Sequence, residues 1–135
     1  MIGMPVFRTR KLPIIAHEFC HSFANPVVEK YMEQLRPAGE KLYAAKAPAI
    51  KRIGYQNWRS LMYESAVRAC VASYIRNSFE PEYLQNYLDK EAGCGFVWTK
   101  ELSNLLRTYE ANRDKYPTFE SFFPEIITFF NKYSK

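Results

Sequence analysis

Ala16-His17-Glu18-Phe19-Cys20-His21 holds both histidines of a 135-residue chain, four apart, with a glutamate directly after the first. On a helix each residue advances about 100°, so with His17 at zero, His21 falls at about 40° and Glu18 at about 100°. One face then offers two imidazoles to a single metal ion and a carboxylate to a water beside it, the arrangement of the H-E-x-x-H pattern. Ile15, Ala16, Phe19, Cys20, Phe23 and Ala24 occupy the rest of the wheel, between roughly 160° and 340°. The helix is therefore expected to be buried nearly all round, with one polar face that needs partners. Two buried histidines hydrogen-bonded to carbonyls would satisfy the same pattern without a metal.

Working outward, the sequence reads as helical almost throughout. Pro13 suits the first turn of the motif helix, and Asn25-Pro26 is expected to end it and cap the next. That second helix runs to about Arg36, with Val27, Val28, Tyr31 and Leu35 inward and Glu29 and Glu33 toward solvent. Pro37 and Pro48 are expected to break the stretch from Ala38 to Ile53 into one or two short helices. Asn57 caps a long helix to about Asn77, and a further helix spans Pro81 to Gly93 with Tyr83, Leu84, Tyr87 and Leu88 buried. Cys94 to Trp98 is the best candidate for extended structure, set off by Gly93 and Gly95. Thr99 caps a helix carrying Leu102, Leu105, Leu106 and Tyr109, and a phenylalanine-rich helix begins near Thr118 and is interrupted at Pro124.

Size and composition agree with one domain, residues 1–135, standing alone or as the C-terminal part of a larger protein. Apolar residues make up 47% and aromatics 16%, enough for a packed core. The net charge of +5 invites a nucleic-acid reading. Yet Arg8, Arg10 and Lys11 form one cluster, Lys51-Arg52 one doublet, and no basic run is interleaved with aromatics, so a mildly basic solvated surface is expected and no nucleic-acid partner. The three cysteines, Cys20, Cys70 and Cys94, lack a C-x-x-C spacing, which argues against a disulfide framework or a cysteine zinc site. No stretch approaches a membrane span, and the segment from Met1 to Pro13 lacks the apolar core of a signal peptide. Location is left open. A cytoplasmic setting is weakly favoured, and an envelope or secreted one is possible if the chain is a fragment.

Catalytic zinc sites use three protein ligands and an open position. With no histidine left, the third ligand is a carboxylate, Cys70 or Cys94. Glu64 is the best candidate: Leu61, Val67, Val71 and Ile75 all lie within about 60° of it on the long helix, so its carboxylate faces a core and is costly unless paired or metal-bound. The plain alternative is an ion pair with Arg68, one turn on; Arg68 serves equally to orient Glu64 on a metal. Glu91 lines up with Leu84, Tyr87 and Leu88 but stands at a helix end where solvent is in reach, and ranks second.

These residues carry a likeness. His17-Glu18-Phe19-Cys20-His21 with a later helical glutamate resembles the zincin metallopeptidases of the gluzincin type, and the wording from Ala16 to Pro26 with Glu64-Ser65-Ala66-Val67-Arg68-Ala69 is similar to an uncharacterised bacterial metallopeptidase-like family. The likeness covers residues 12 to 77. It implies a mainly α, zincin-like helical domain built on the H-E-x-x-H helix and a Glu-bearing helix, with any sheet minimal or missing. It also implies Zn2+ held by His17, His21 and Glu64, Glu18 as general base, and a peptide or protein substrate. Arg68, Asn25, Tyr63 and Tyr55 are the candidates for supporting the ligands or the transition state. Two features depart from the pattern: Glu64 lies further beyond His21 than in many gluzincins, and Arg68 stands where many have an aspartate supporting a histidine ligand. A zinc-binding scaffold without activity, and less favoured a basic helical nucleic-acid binder, are the other readings.

Overall fold

A computed structural model describes the backbone of residues 11–134 and the side chains of residues 16–134. The basic pair Arg8 and Arg10 and the side chains of Lys11 and Ile15 lie outside the described residues. Among the described residues the chain is 82% helix, with six helices and no strand. They are α1 (Lys11–Lys30), α2 (Met32–Arg52), α3 (Trp58–Ser78), α4 (Pro81–Gly93), α5 (Thr99–Ala111) and α6 (Phe119–Tyr133).

The central helix is α3, which packs against α1, α2, α4 and α5, while α6 closes the other side against α2, α5 and α1. Its sequence suits that place. Ser65, Ala66, Ala69, Ala72 and Ser73 are buried small residues that let neighbouring helices approach, and Leu61, Met62, Val67, Val71 and Ile75 fill the spaces between. Asn57 caps it as expected, its side chain accepting from the Ser60 N–H at 2.9 Å. The α4 boundaries also fall where Pro81 and Gly93 place them. α6 opens on a capping box in which Thr118 and Ser121 bond reciprocally.

The prolines behave differently from expectation. Pro26 lies inside α1, Pro37 and Pro48 inside α2, and Pro124 inside α6. All four sit on exposed faces. The residues four earlier, Ser22, Glu33 and Ala44, are exposed and Glu120 is half-buried, so the carbonyls deprived of an N–H partner reach water. The buried stripe on the opposite face carries each helix through. The break comes at Tyr31 instead, whose backbone leaves helical values (φ −105°, ψ 15°) while its ring stacks on Phe123 at 5.1 Å.

A second correction concerns Cys94 to Trp98, which is a turn and not extended structure. Gly95 takes φ +109°, and the N–H groups of Cys94, Gly95 and Phe96 bond back to the carbonyls of Lys90, Glu91 and Ala92, so the segment wraps up the C-terminal end of α4. Phe96 and Trp98 are fully buried, and the Trp98 indole donates to Ser65 Oγ at 2.9 Å. The same segment therefore offers no free edge to a substrate strand. Thr99 is the first residue of α5 and Trp98 the capping position, one residue earlier than expected.

Candidate metal centre

The motif helix α1 is not buried all round. Its core stripe is Ala16, Cys20, Ala24 and Val28, spaced by one helical turn and packed on α3. Phe19 and Phe23 are 71% and 46% exposed. They flank a cleft of about 250 Å³ with Cys20, Cys70 and Ser73. The reason is geometric: α1 packs mainly on one helix, α3, and so buries one stripe, while the residues about 100° to either side are left at the rim. His17 and His21 are at the rim on the side away from Phe19 and Phe23.

There they meet Glu64. His17 Nε2 lies 3.2 Å from Glu64 Oε1, and His21 Nε2 lies 2.8 Å from Oε2. The two imidazoles are about one-fifth exposed while the carboxylate is nearly sealed. The ring centroids stand 4.9 Å apart, edge to face. Metal-ligating atoms of His17, His21 and Glu64 all lie within 4.8 Å of one another.

Whether these residues fit a metal can be judged from Glu64 itself. Its Oε1 is buried and accepts no hydrogen bond, since the approaches of His17 and Arg68 lack hydrogen-bond geometry. A buried acceptor with no donor is costly, and a cation at the point where two imidazole nitrogens and this oxygen converge would satisfy it. Two ligands about 2.1 Å from one tetrahedral zinc stand roughly 3.4 Å apart, so the observed separations need only small adjustment. Two nitrogens and one oxygen are a donor set zinc accepts, with the solvent side of the imidazoles left open.

The surroundings of the cluster are polar and charged. His21 Nδ1 lies 3.3 Å from Asn25 Oδ1 and His21 Nε2 lies 2.8 Å from Glu64 Oε2, so each ring nitrogen has an acceptor oxygen within reach. Asn25 thus contacts His21 from within α1 and does not cap a second helix. Burial alone would raise the Glu64 carboxyl, but His17, His21 and Arg68 outweigh it and hold Glu64 below the usual carboxylate range. Glu18 is exposed on α1, beside His17.

Arg68 is buried between two carboxylates. Its Nη1 pairs closely with Glu91, and its Nη2 lies 3.4 Å from Glu64 Oε1 and donates to the Tyr55 hydroxyl at 3.3 Å. The guanidinium sits 4.3 Å above the Phe96 ring. Burial opposes its charge, yet Glu91 first and then Glu64 and Tyr55 keep it protonated well above the ordinary arginine value. The simple ion pair with Glu64 is thus only the weaker half of what Arg68 does. Glu91 corrects an expectation: it is 3% exposed and not at the solvent boundary, because the turn after Gly93 folds Phe96 over it.

Of the other candidates, Tyr55 belongs to the site. Its hydroxyl is half-buried beside Arg68 and Glu64, and burial followed by the Glu64 charge pushes it above the usual phenol range against the pull of Arg68. Tyr63 does not. It precedes Glu64 by one residue and so points about 100° away, where its hydroxyl donates to Glu29 Oε1 at 2.9 Å. Sequence reasoning overlooked Tyr87, whose hydroxyl is buried without a hydrogen-bond partner. Burial and then the charge of Glu91 raise it far above the phenol range. Its place in the α4 stripe signalled burial, but no spacing rule told which neighbours it would meet.

Helix α1 with its H-E-x-x-H pattern and helix α3 with its glutamate define an all-helical protein carrying a two-histidine, one-carboxylate cluster among its described residues. The chain belongs to the family described as a domain of unknown function, DUF4932, whose model matches residues 3–129. No curated protein and no solved structure matches it. No helix of the described residues is long and apolar enough to cross a membrane.

Proposed function

We propose that this protein is a zinc-dependent metallopeptidase of zincin-like construction, with His17, His21 and Glu64 as metal ligands and Glu18 as general base. The observation that carries the reading is the convergence of both Nε2 atoms on a buried carboxylate whose Oε1 makes no well-formed hydrogen bond. Charge supports it too. Glu64 and Glu91 face a single guanidinium, so with both imidazoles neutral, as metal ligation requires, a cation beside Glu64 balances the charge.

Zinc held there would lower the pKa of a water and polarise a peptide carbonyl. The rest of the work falls to the chain. Glu18, exposed beside His17, takes a proton from the attacking water on its carboxylate and hands it to the leaving amine nitrogen. With a metal on His21 Nε2, Asn25 Oδ1 would accept the proton left on Nδ1. Tyr55, whose hydroxyl stands beside Arg68 and Glu64, is the best-placed donor for the carbonyl oxygen as negative charge develops on it, since with Glu64 on a metal ion its O–H would be released toward a substrate. Tyr63 and Arg68 are weaker choices, the first because Glu29 holds it elsewhere and the second because Glu91 and Glu64 do. A peptide or protein is the substrate class this chemistry serves.

The test uses the full chain loaded with zinc and a mixture of unstructured peptides, followed by mass spectrometry. Glu18→Gln is expected to lower cleavage by about 10²-fold or more while leaving the zinc content of the protein unchanged. An unaltered, zinc-loaded protein that cuts no peptide would overturn the peptidase reading and leave a zinc-binding scaffold. An unaltered protein that takes up no zinc would overturn both.

A further inference from the structure

Glu91 comes from a different helix than either ligand-bearing one, yet it is the close partner of the arginine that approaches Glu64. Two of the three charged side chains are buried and the third nearly so: Glu64 is 8% exposed, Glu91 4% and Arg68 11%. A buried guanidinium with one carboxylate only would draw that carboxylate into a tight, bidentate pair. Here Nη1 is turned to Glu91, and the approach of Nη2 to Glu64 Oε1 stays at 3.4 Å without hydrogen-bond geometry. Phe96 beneath the guanidinium and Tyr55 at Nη2 fix its plane. The Glu64 carboxylate is thereby oriented by Arg68 but not captured by it.

We infer that Glu91 is a positioning residue for the metal centre: by neutralising Arg68 it keeps that arginine from competing with a metal ion for Glu64. The inference rests on the zinc-site reading above and adds to it a control exerted from α4. It predicts a sign that a simple packing role does not. Removing the Glu91 charge frees Arg68 to seize Glu64 and weakens metal binding, whereas removing the Arg68 charge as well takes the competitor away and restores binding.

The experiment measures Zn2+ affinity of the full chain by competition with a chromophoric chelator, with circular dichroism to establish folding. Glu91→Gln, close in shape, is expected to bind zinc about 10- to 100-fold more weakly than the unaltered protein, the range for removing a partner that orients a metal ligand. The double variant Arg68→Gln with Glu91→Gln removes the competitor together with its partner, leaving Glu64 to His17, His21 and the metal, and is expected to bind more tightly than Glu91→Gln alone, within about 10-fold of the unaltered protein. Equal affinity of Glu91→Gln and the unaltered protein overturns the inference, as does a double variant that binds as weakly as the single one or more so. Should Glu91→Gln alone not fold, the double variant decides against the unaltered protein by the same 10-fold margin. If the unaltered protein binds no zinc, the zinc-site reading falls, and this inference with it; if it binds and only the variants disobey, this inference alone falls.

Discussion

A carboxylate in the middle of an apolar helix stripe has to be accounted for by its neighbours, and those of Glu64 are His17, His21, Arg68 and Tyr55. Every one is a donor or a cation, so the ionised form is the one the site prefers, and the carboxyl lies below its ordinary value despite burial. The sign of the pH effect follows by linkage. A carboxyl whose folded value is depressed contributes stability that is fully present above its unfolded value, about 4.5, and is lost as pH falls through the folded one. Metal-free Glu64→Gln should therefore differ from the unaltered protein by a constant amount above that pH, and the gap should narrow below it. Urea unfolding at a series of pH values checks this; a gap that is constant down the whole acid limb would show that Glu64 titrates as an ordinary glutamate.

At the scale of helices, the segment from Glu91 to Thr99 joins the centre to the core. Gly95 is required there twice over, by its φ of +109° and because an added Cβ would stand 2.9 Å from Ile50 Cδ1. Gly95→Ala is expected to destabilise the protein by about 2 kcal/mol or more, measured by denaturant unfolding, and to weaken the Arg68–Glu91 arrangement by loosening Phe96. A loss under about 0.5 kcal/mol, the level of an ordinary surface change, would refute the strain argument. The same segment marks where sequence reasoning stopped. Spacing gave α3, α4 and their caps, because Asn57, Pro81 and Gly93 act locally. It assigned extended structure to Cys94–Trp98 because the β-prone residues Phe96, Val97 and Trp98 look alike whether they pair in a strand or plug a core. It split α1 and α2 at Pro26 and Pro37, because the tolerance of a proline depends on which face meets water, and that is set by partners distant in sequence. At the centre, His17, His21 and Glu64 were legible, since a buried carboxylate shows in helical periodicity. That Glu91 and Arg68 form one cluster with them depends on how α4 docks, which no local pattern encodes.

At the scale of the molecule, the candidate ligands come from two helices with different attachments. α1 contributes His17 and His21 from a single stripe of contact with α3, with small residues such as Ala16 and Ala24 at the seam. α3 contributes Glu64 from the centre of the packing, held by α2, α4 and α5 as well. A metal ion bridging the two would tie the motif helix to the core, and the energy of binding would appear as resistance to unfolding. Zinc at about 100 times its dissociation constant adds about 2.7 kcal/mol if it binds only the folded chain. For a chain of 135 residues that corresponds to a rise in Tm of roughly 10 °C. The rise should vanish on adding a chelator and should be largely lost in His21→Ala. Magnesium should not reproduce it, because two imidazoles and one carboxylate form a poor site for an ion that prefers oxygen ligands in octahedral array. Thermal unfolding with and without zinc, followed by circular dichroism at 222 nm, reads this directly. Identical curves for chelator-treated and zinc-loaded protein would mean that His17, His21 and Glu64 hold α1 to α3 by their own contacts alone.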